Sequence, residues 1–402
     1  MLKGLRDVVI VSFARTPIGS MGGTLASVSG PLLGAAAIRG ALKRAGSLPG
    51  TSICEVIMGN VISAGLGQAP ARQAARGAGI HDSATCFGVN KVCASGMKAV
   101  ALGAANIAVG ASNIVVAGGF ESMSGVPYYA PGARSGLRLG HSRLIDGVIH
   151  DGLWDPYGDM HMGSCAEKTA KDLQISRADQ DAWALRSYTR AKAALARAGP
   201  MADIESVLVK GSRGAETVVS VDEEPSRGGD ATKLGALKPA FLSAKEGGTI
   251  TAANASKLND GAAALVLMDA AHAKALGLTP IARVLGYADA EAAPIDFSSA
   301  PSLAVPRALA RAGVNIRDVA LHEINEAFSS VVLANIALLN IDADRVNING
   351  GAVAMGHPIG ASGARIIGSL ITALGENAKG GIGVAAICNG GGGASAFVVE
   401  RL

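Results

Sequence analysis

The sequence predicts an α/β fold made of two similar halves, with a loop-rich segment inserted into the first. Three observations predict it. Strand and helix signals alternate up to about Ser122 and again from Gly261 to the end. Between them, from Met123 to about Leu258, Gly, Pro, Tyr, His and charged residues interrupt the pattern. The later part also echoes the earlier one. Ala94-Ser95-Gly96 and Ala361-Ser362-Gly363, 267 residues apart, each open a predicted helix. Val116 to Gly119 and Ile387 to Gly391 each close a strand, with Gly118 and Gly390 272 residues apart. The opening strands, Asp7 to Phe13 and Ile281 to Gly286, keep a similar offset. Three echoes in one order indicate a duplicated unit. The competing explanation is chance similarity in an Ala- and Gly-rich chain.

Each element has a local reason. Val8 to Val11 is apolar and β-branched, which suits a strand. Gly34 to Ala45 reads as a helix, Glu55 to Ile62 as a strand and Ala69 to Gly79 as a helix. Thr85 to Val89 is strand-like, and Ala94 to Gly110 has the length and alanine content of a buried helix. Ile114 to Ala117 follows as a strand. Within the insertion, Arg177 to Arg197 is helical, with Ser176 as N-cap and Asp179 three residues on. Val207 to Lys210 and Thr217 to Val221 read as strands, and Arg227 to Gly248 as irregular. Gly261 to Met268 resumes the α/β pattern. The expected division is therefore 1–122 for the first half, completed by about 259–279; 123–258 for the loop-rich insertion; and 280–402 for the second half.

Composition narrows the function classes. At 402 residues the chain exceeds one typical core. With 3% aromatics and 54 glycines, that core must be filled by Ala, Val, Ile and Leu with backbones in close approach. The net charge of +4 comes without a basic run, which argues against nucleic-acid binding. Every apolar stretch of about 20 residues is broken by polar residues or glycine, which argues against a membrane span. The five cysteines, Cys54, Cys86, Cys93, Cys165 and Cys388, are scattered and lack CxxC spacing. A disulfide framework or zinc site is not expected, and a reducing compartment is. The N-terminus shows no signal or transit pattern, so a cytoplasmic protein is expected. The alternative is a mitochondrial matrix protein whose presequence has been removed.

Four segments carry chemistry. Asn90 to Lys98 (NKVCASGMK) puts Cys93 at or just before a helix N-terminus, where unpaired N–H groups would lower a thiol pKa. Taken alone, Cys93 reads equally well as a small buried apolar residue. Asn325 to Phe328 (NEAF) follows His322-Glu323-Ile324. Asn349 to Gly363 places His357 in a glycine-rich turn before a helix, where a backbone can approach a ligand. Cys388 to Gly393 (CNGGGG) ends a strand, and its N–H groups could form an anion nest. A thiolate is a strong nucleophile, and an imidazole can take its proton.

The set VCASG, NEAF, GHPIGASG and CNGGGG, in this order, resembles the thiolase family, in its acetyl-CoA acetyltransferase branch. Gly118 to Ser124 (GGFESMS), His161 to Glu167 (HMGSCAE) and Asn254 to Leu265 (NASKLNDGAAAL) agree, so the likeness runs through essentially the whole chain. It implies the thiolase fold: two βαβαβαββ halves layered α-β-α-β-α, with an inserted loop domain. It implies reversible condensation of two acetyl-CoA to acetoacetyl-CoA and CoA through an acetyl-cysteine. In that scheme Cys93 is the acylated nucleophile. His357 accepts the thiol proton and later binds the enolate oxygen. Cys388 is the acid/base at the α-carbon. Asn325 holds a water that completes one oxyanion hole with His357. The N–H groups of Cys93 and Gly390 form the second hole.

The resemblance also implies contacts of Tyr188, Arg227, Asp230, Lys233 and Ser256 with coenzyme A. The family's loop arginine near Asp230 is displaced here, to Arg227 before Gly228-Gly229. That leaves open whether Arg227 or Lys233 meets the phosphates. His161, Met162, Phe241, Phe297 and Phe328 resemble the walls of a short acyl pocket. Phe297 resembles the type that accepts 2-methyl-branched substrates, although Ser298 stands where that type has proline. That type also binds potassium, and Tyr188 with the carbonyls of Ala252, Ala253, Ala255 and Val353 matches its site. No cofactor is required for the chemistry; coenzyme A is substrate and product. A homotetramer is implied. The competing activities are a longer-chain 3-ketoacyl-CoA thiolase, a decarboxylating ketoacyl synthase, which lacks the second cysteine, and a catalytically inactive CoA or lipid carrier.

Overall fold

The computed structural model describes residues 5–198, 203–211, 214–378 and 380–402. The chain begins with β1 (Val8–Arg15), α1 (Gly30–Arg44), β2 (Glu55–Gly59), α2 (Pro70–Gly77), β3 (Thr85–Val89), α3 (Ser95–Ala108) and β4 (Ile114–Ser122). The insertion contributes α4 (Met162–Asp172) and α5 (Arg177–Ala198). Then come β5 (Asn259–Asp269), β6 (Ala282–Glu291), α6 (Pro301–Ala312), β7 (Val319–Ile324), α7 (Ser329–Leu339), α8 (Ile359–Asn377), β8 (Ile382–Asn389) and β9 (Gly393–Arg401).

The strand order displays the duplication. The first half runs β1-β5-β4-β2-β3 and the second runs β6-β9-β8-β7. The counterpart of β3 is reduced to one bridge, His322 with Val346, at the outer edge of β7. The half-sheets join where β1 meets β6 over two pairs, Val9 with Arg283 and Ile10 with Ala282.

Both faces of each half-sheet are covered, so the strands read as near-continuous apolar runs. On β1, Val9 and Val11 face one core, together with Leu33 and Ile38 of α1. Ile10 and Phe13 face the opposite way, after a bulge between Ile10 and Ser12, and share a core with Met97 of α3 and Ile366 of α8. A third core packs Val305 and Leu309 of α6 on Val384 and Val398. Helices α3 and α8 thus form the middle layer between the two half-sheets. This is the α-β-α-β-α layering the sequence led us to expect.

The insertion is more ordered than its texture indicated. Ser176 and Asp179 cap α5 reciprocally: Asp179 accepts from the Ser176 amide at 3.0 Å, and its own amide donates to the Ser176 hydroxyl at 3.1 Å. Residues 124–159 contain two small hairpins, Tyr128–Tyr129 with Ile145–Asp146 and Trp154–Asp155 with the following Met160–His161. Two-residue strands are too short to show a period. Helix α4 was not legible either, because the stripe it buries, Met162, Cys165, Ala166, Thr169 and Ala170, is made mostly of small residues that give a weak apolar signal. Among the described residues, no helix is long and apolar enough to cross a membrane.

Candidate active site

Cys93 sits immediately before the N-cap of α3, on a turn held by its neighbours' side chains. Asn90 Oδ1 accepts from the Val92 amide at 2.9 Å, and Asn90 Nδ2 donates to the Val61 carbonyl at 3.2 Å. Ser95 Oγ accepts from the Lys91 amide at 2.8 Å and donates to the Val92 carbonyl at 2.6 Å. These bonds hold Val92 at φ 47°, a region a β-branched residue rarely adopts and that costs about 1–3 kcal/mol. The strain is local to the turn that carries Cys93.

The backbone N–H groups of Gly390 and of Cys93 itself are aimed at the Cys93 sulfur. Gly390 opens the turn between β8 and β9, where Gly391 and Gly392 have φ of 85° and 91°. Only glycine adopts these values freely. Asn389 fixes the turn from below, donating to the Gly390 carbonyl at 2.8 Å and accepting from Lys91 Nζ at 3.1 Å. The glycine run is therefore a device for pointing an amide at a sulfur.

One sequence expectation is corrected here. The helix start was expected to lower the Cys93 pKa. Instead, burial pushes the thiol up to about 11. The two N–H groups offset only part of that rise, and the Glu121 carboxylate adds to it. In the low-dielectric site desolvation outweighs the helix terminus. Cys388, buried on β8, is also raised, first by burial and then by the charge of Cys93. Each thiol therefore feels the other.

His357 precedes α8 and is buried. Its backbone amide donates to Asn259 Oδ1 at 2.9 Å. Nδ1 lies 2.7 Å from Ser362 Oγ, whose proton goes to the Pro358 carbonyl at 2.9 Å. That network assigns Nδ1 as donor and leaves Nε2 as acceptor. Burial and the Arg365 guanidinium push His357 down to about 3, so the imidazole is neutral, with Nε2 carrying the free lone pair. Asn325 Nδ2 lies 3.5 Å from Nε2. Asn325 Oδ1 is buried without a protein partner, as an atom that binds a water would be.

Cys93, His357 and Gly390 line a narrow inner cavity of about 50 Å³ together with Met162, Phe297 and Phe328. Cys388 is packed behind Met162, Phe297 and Phe328 rather than in the lining, and Asn325 also lies outside it. A cavity needs roughly 10–15 Å³ to admit one water, so this one holds a few heavy atoms. His161 and Phe328 also border an outer cavity of about 490 Å³, lined further by Phe241, Ser256, Arg227 and Ala252. His161 stacks on Phe241 at 4.7 Å between ring centroids, and Phe241 meets Phe328 edge-on at 5.9 Å. Three other expected contacts lie outside the residues lining these cavities. Tyr188 is buried in a core with Val353 and Met355. Lys233 is exposed and pairs with Asp230 at 3.3 Å, while Asp230 caps the short helix Ala231–Leu234. Of the two basic residues left open, only Arg227 borders the outer cavity.

The geometry can be set beside known proteins. A model of the thiolase N-terminal domain matches residues 8–271, and one of the thiolase C-terminal domain matches 278–401. The chain belongs to the thiolase family. It is 52% identical over 400 residues to the mitochondrial acetyl-CoA acetyltransferase of Xenopus tropicalis, covering all of this chain and 93% of that one. A thiolase of Ascaris suum, solved in complex with coenzyme A, superposes with a TM-score of 0.92 at 47% identity, over 99% of this chain and 100% of that one. The acetyl-CoA acetyltransferase of Bacillus anthracis gives a TM-score of 0.95 at 40% identity, over the same shares.

Some residues that shape this thiolase site escaped the sequence reading. Glu121, fully buried at the end of β4, accepts from Asn60 Nδ2 at 2.7 Å, from the Val61 amide at 2.9 Å and from the Gly360 amide at 3.0 Å. A glutamate ending an otherwise apolar strand was the available signal. Glu326 of NEAF accepts from Trp183 Nε1 at 3.0 Å, Ser187 Oγ at 2.7 Å and Asn347 Nδ2 at 2.9 Å, anchoring α5 behind the site. Lys257 also escaped notice; its ammonium lies among the groups expected to hold potassium.

Proposed function

We propose that this thiolase condenses two acetyl-CoA molecules to acetoacetyl-CoA and CoA, reversibly, through an acetyl group carried on Cys93. The observation that carries the reading is the meeting of the Cys93 thiol and a neutral imidazole on a cavity with room for a few heavy atoms, with the second thiol, Cys388, packed against the walls of that cavity, Met162, Phe297 and Phe328. His357 Nε2 takes the Cys93 proton as the sulfur attacks the thioester carbonyl, and CoA leaves as the thiol with the proton of Cys388, which becomes a thiolate. The Cys93 and Gly390 amides receive the oxyanion. Cys388 then removes the α-proton of a second acetyl-CoA, and its enolate oxygen meets His357 and a water on Asn325. The enolate carbon attacks the acetyl-cysteine, and Cys93 leaves as the thiol, its proton restored from His357, while Cys388 keeps the α-proton and is again a thiol.

Two donor sets are needed because the reaction forms two different oxyanions. Losing one donor of such a set typically raises a barrier by about 3–4 kcal/mol. Ser256 and Arg227 border the coenzyme A channel in this reading, with Arg227 toward the phosphates. His161, Met162, Phe241, Phe297 and Phe328 keep the acyl chamber short. Residues 1–122 with 259–279, and residues 280–402, form the two catalytic halves, and 123–258 cover the site. A homotetramer fits the exposed apolar side chains of the insertion, Tyr128, Leu137, Leu139 and Leu144. The name of the Xenopus tropicalis relative is compatible with the mitochondrial alternative.

Mass spectrometry after incubation with acetyl-CoA tests the division of roles. Cys93→Ala is expected to show no acetyl adduct and no turnover. Cys388→Ala is expected to keep the adduct and lose condensation. A Cys388→Ala protein without an adduct, or a Cys93→Ala protein that turns over, overturns the scheme.

A further inference from the structure

The loop 251–257 borders the outer cavity through Thr251, Ala252, Ala255 and Ser256. The family resemblance assigns a potassium ion to the back of this loop, among Tyr188 and the carbonyls of Ala252, Ala253, Ala255 and Val353. The residues present do not fit that ion. Lys257 Nζ donates to the Ala255 carbonyl at 2.7 Å and reaches toward the Val353 carbonyl at 3.4 Å. It also lies 5.9 Å from the centroid of the Tyr188 ring. Three of the five expected ligands thus already face a cation that belongs to the chain. An ammonium and a potassium ion ask for the same thing from a carbonyl oxygen, and two like charges cannot share one pair of carbonyls in a buried site.

We propose that Lys257 supplies covalently the positive charge that the resemblance assigns to potassium, so that this protein takes no monovalent cation at the site. Two buried carboxylates face the ammonium. Glu224 is held by Ser20 Oγ at 2.6 Å, and Glu326 is held by Trp183, Ser187 and Asn347. Both attract the Lys257 charge. A nitrogen set against two carbonyl oxygens and two carboxylates meets only acceptors, which suits an ammonium, a group that only donates. The consequence is mechanical. Ala255 belongs to the loop that borders the proposed coenzyme A channel, and Val353 belongs to the segment that leads into His357. One side chain ties the two together without an exchangeable ion.

The substrate assignment is not needed for the test, because two of its readouts do not involve catalysis. The thermal midpoint and the rate of acetoacetyl-CoA thiolysis are measured in potassium, sodium and tetramethylammonium chloride at one ionic strength. The wild-type midpoint is expected to agree across the salts within about 1 °C, and the rate within about 1.5-fold, since an ion that does not bind cannot shift either. Lys257→Thr removes the ammonium and leaves the carbonyls. Its midpoint is expected to rise by about 3 °C or more in potassium alone. Crystals of that variant soaked in thallium(I) are expected to show an anomalous peak between the Ala255 and Val353 carbonyls. A thallium peak there in wild-type crystals overturns the proposal. So does a wild-type rate or midpoint that rises with potassium but not with sodium. A folded Lys257→Thr protein indifferent to every cation also overturns it, because the carbonyls would then form no cation site. If the variant folds in none of the salts, the wild-type arms still decide.

Discussion

Gly96 and Gly363 pack each against the other's helix in the middle layer of the fold. A Cβ on Gly363 would stand 2.4 Å from the Met97 amide nitrogen, and a Cβ on Gly96 would stand 2.9 Å from the Ala364 amide nitrogen. The two glycines occupy equivalent places in the duplicated halves, as the third residue of each Ala-Ser-Gly. The repeat seen in the sequence is therefore a contact in space. It lets α3, which follows Cys93, lie close to α8, which follows His357.

Gly363→Ala is expected to be more damaging than its one added carbon implies. The atoms it would meet are the amide nitrogen, Cα and Cβ of Met97, which cannot move aside without moving α3 itself. Overpacking of this kind costs about 1–3 kcal/mol and sometimes more. A forced separation of the helices also moves the imidazole from the thiol, and a misplacement of about 1 Å can lower a rate roughly 10²-fold. Thermal scans and the rate of acetyl-enzyme formation check this together. A Gly363→Ala protein with wild-type midpoint and acylation rate contradicts the close packing.

Much of this was legible before any coordinates. Cys93, His357, Cys388 and Asn325 each sit at the end of a strand or the start of a helix, where a short motif fixes residue type and local geometry together. The joining of the halves was not legible, because a glycine says only that something comes near and not what comes near it. The sign of the Cys93 shift was not legible either. A helix start can be read from local sequence, but burial depends on Met162, Phe328 and Ile359, which are far away in the chain. Lys257 looked like an ordinary loop lysine, because the carbonyl of Val353 that it reaches toward lies 96 residues further on.

Cys93 is expected to be a thiol, not a thiolate, in the resting protein. Its raised value near 11 puts the neutral form in excess at neutral pH, and thiolate gathers only as the pH climbs toward that value. The difference in absorbance near 240 nm between wild type and Cys93→Ala reports this thiolate directly. The difference should be negligible at pH 7 and grow only in strongly alkaline solution. A thiolate signal already present at pH 7 would mean that an imidazolium–thiolate pair exists before substrate arrives, contrary to the neutral His357 described above.

Glu121 is expected to act as a positioning residue. Its carboxylate is held between the turn that supports Cys93 and the start of α8. The Val61 amide donates to it, while the Val61 carbonyl accepts from Asn90, which in turn holds Val92 beside Cys93. Gly360, three residues after His357, donates to the same carboxylate oxygen as Val61. Glu121→Ala cuts both ties and is expected to lower the acylation rate by roughly 10²-fold while changing KM much less, because the channel walls are untouched. Glu121→Gln keeps one acceptor oxygen for Val61 and Gly360, and Asn60 Oδ1, which lacks a protein partner, can turn to accept from the new amide. That variant should recover to within about tenfold of wild type. The pH profile separates this role from a purely structural one. Burial pushes Glu121 up to about 7, against the pull of the Val61, Ile62 and Gly360 amides. Its charge, and with it the full strength of the clamp, is therefore present above that pH and lost as the pH falls through it, leaving a weaker neutral form like that of Glu121→Gln. His357, held near 3, stays neutral over the same range. Wild-type acylation should then fall on acidification with a midpoint near 7, and Glu121→Gln, which cannot titrate, should lack that limb. If the two profiles superimpose, Glu121 does not set the register between Cys93 and His357.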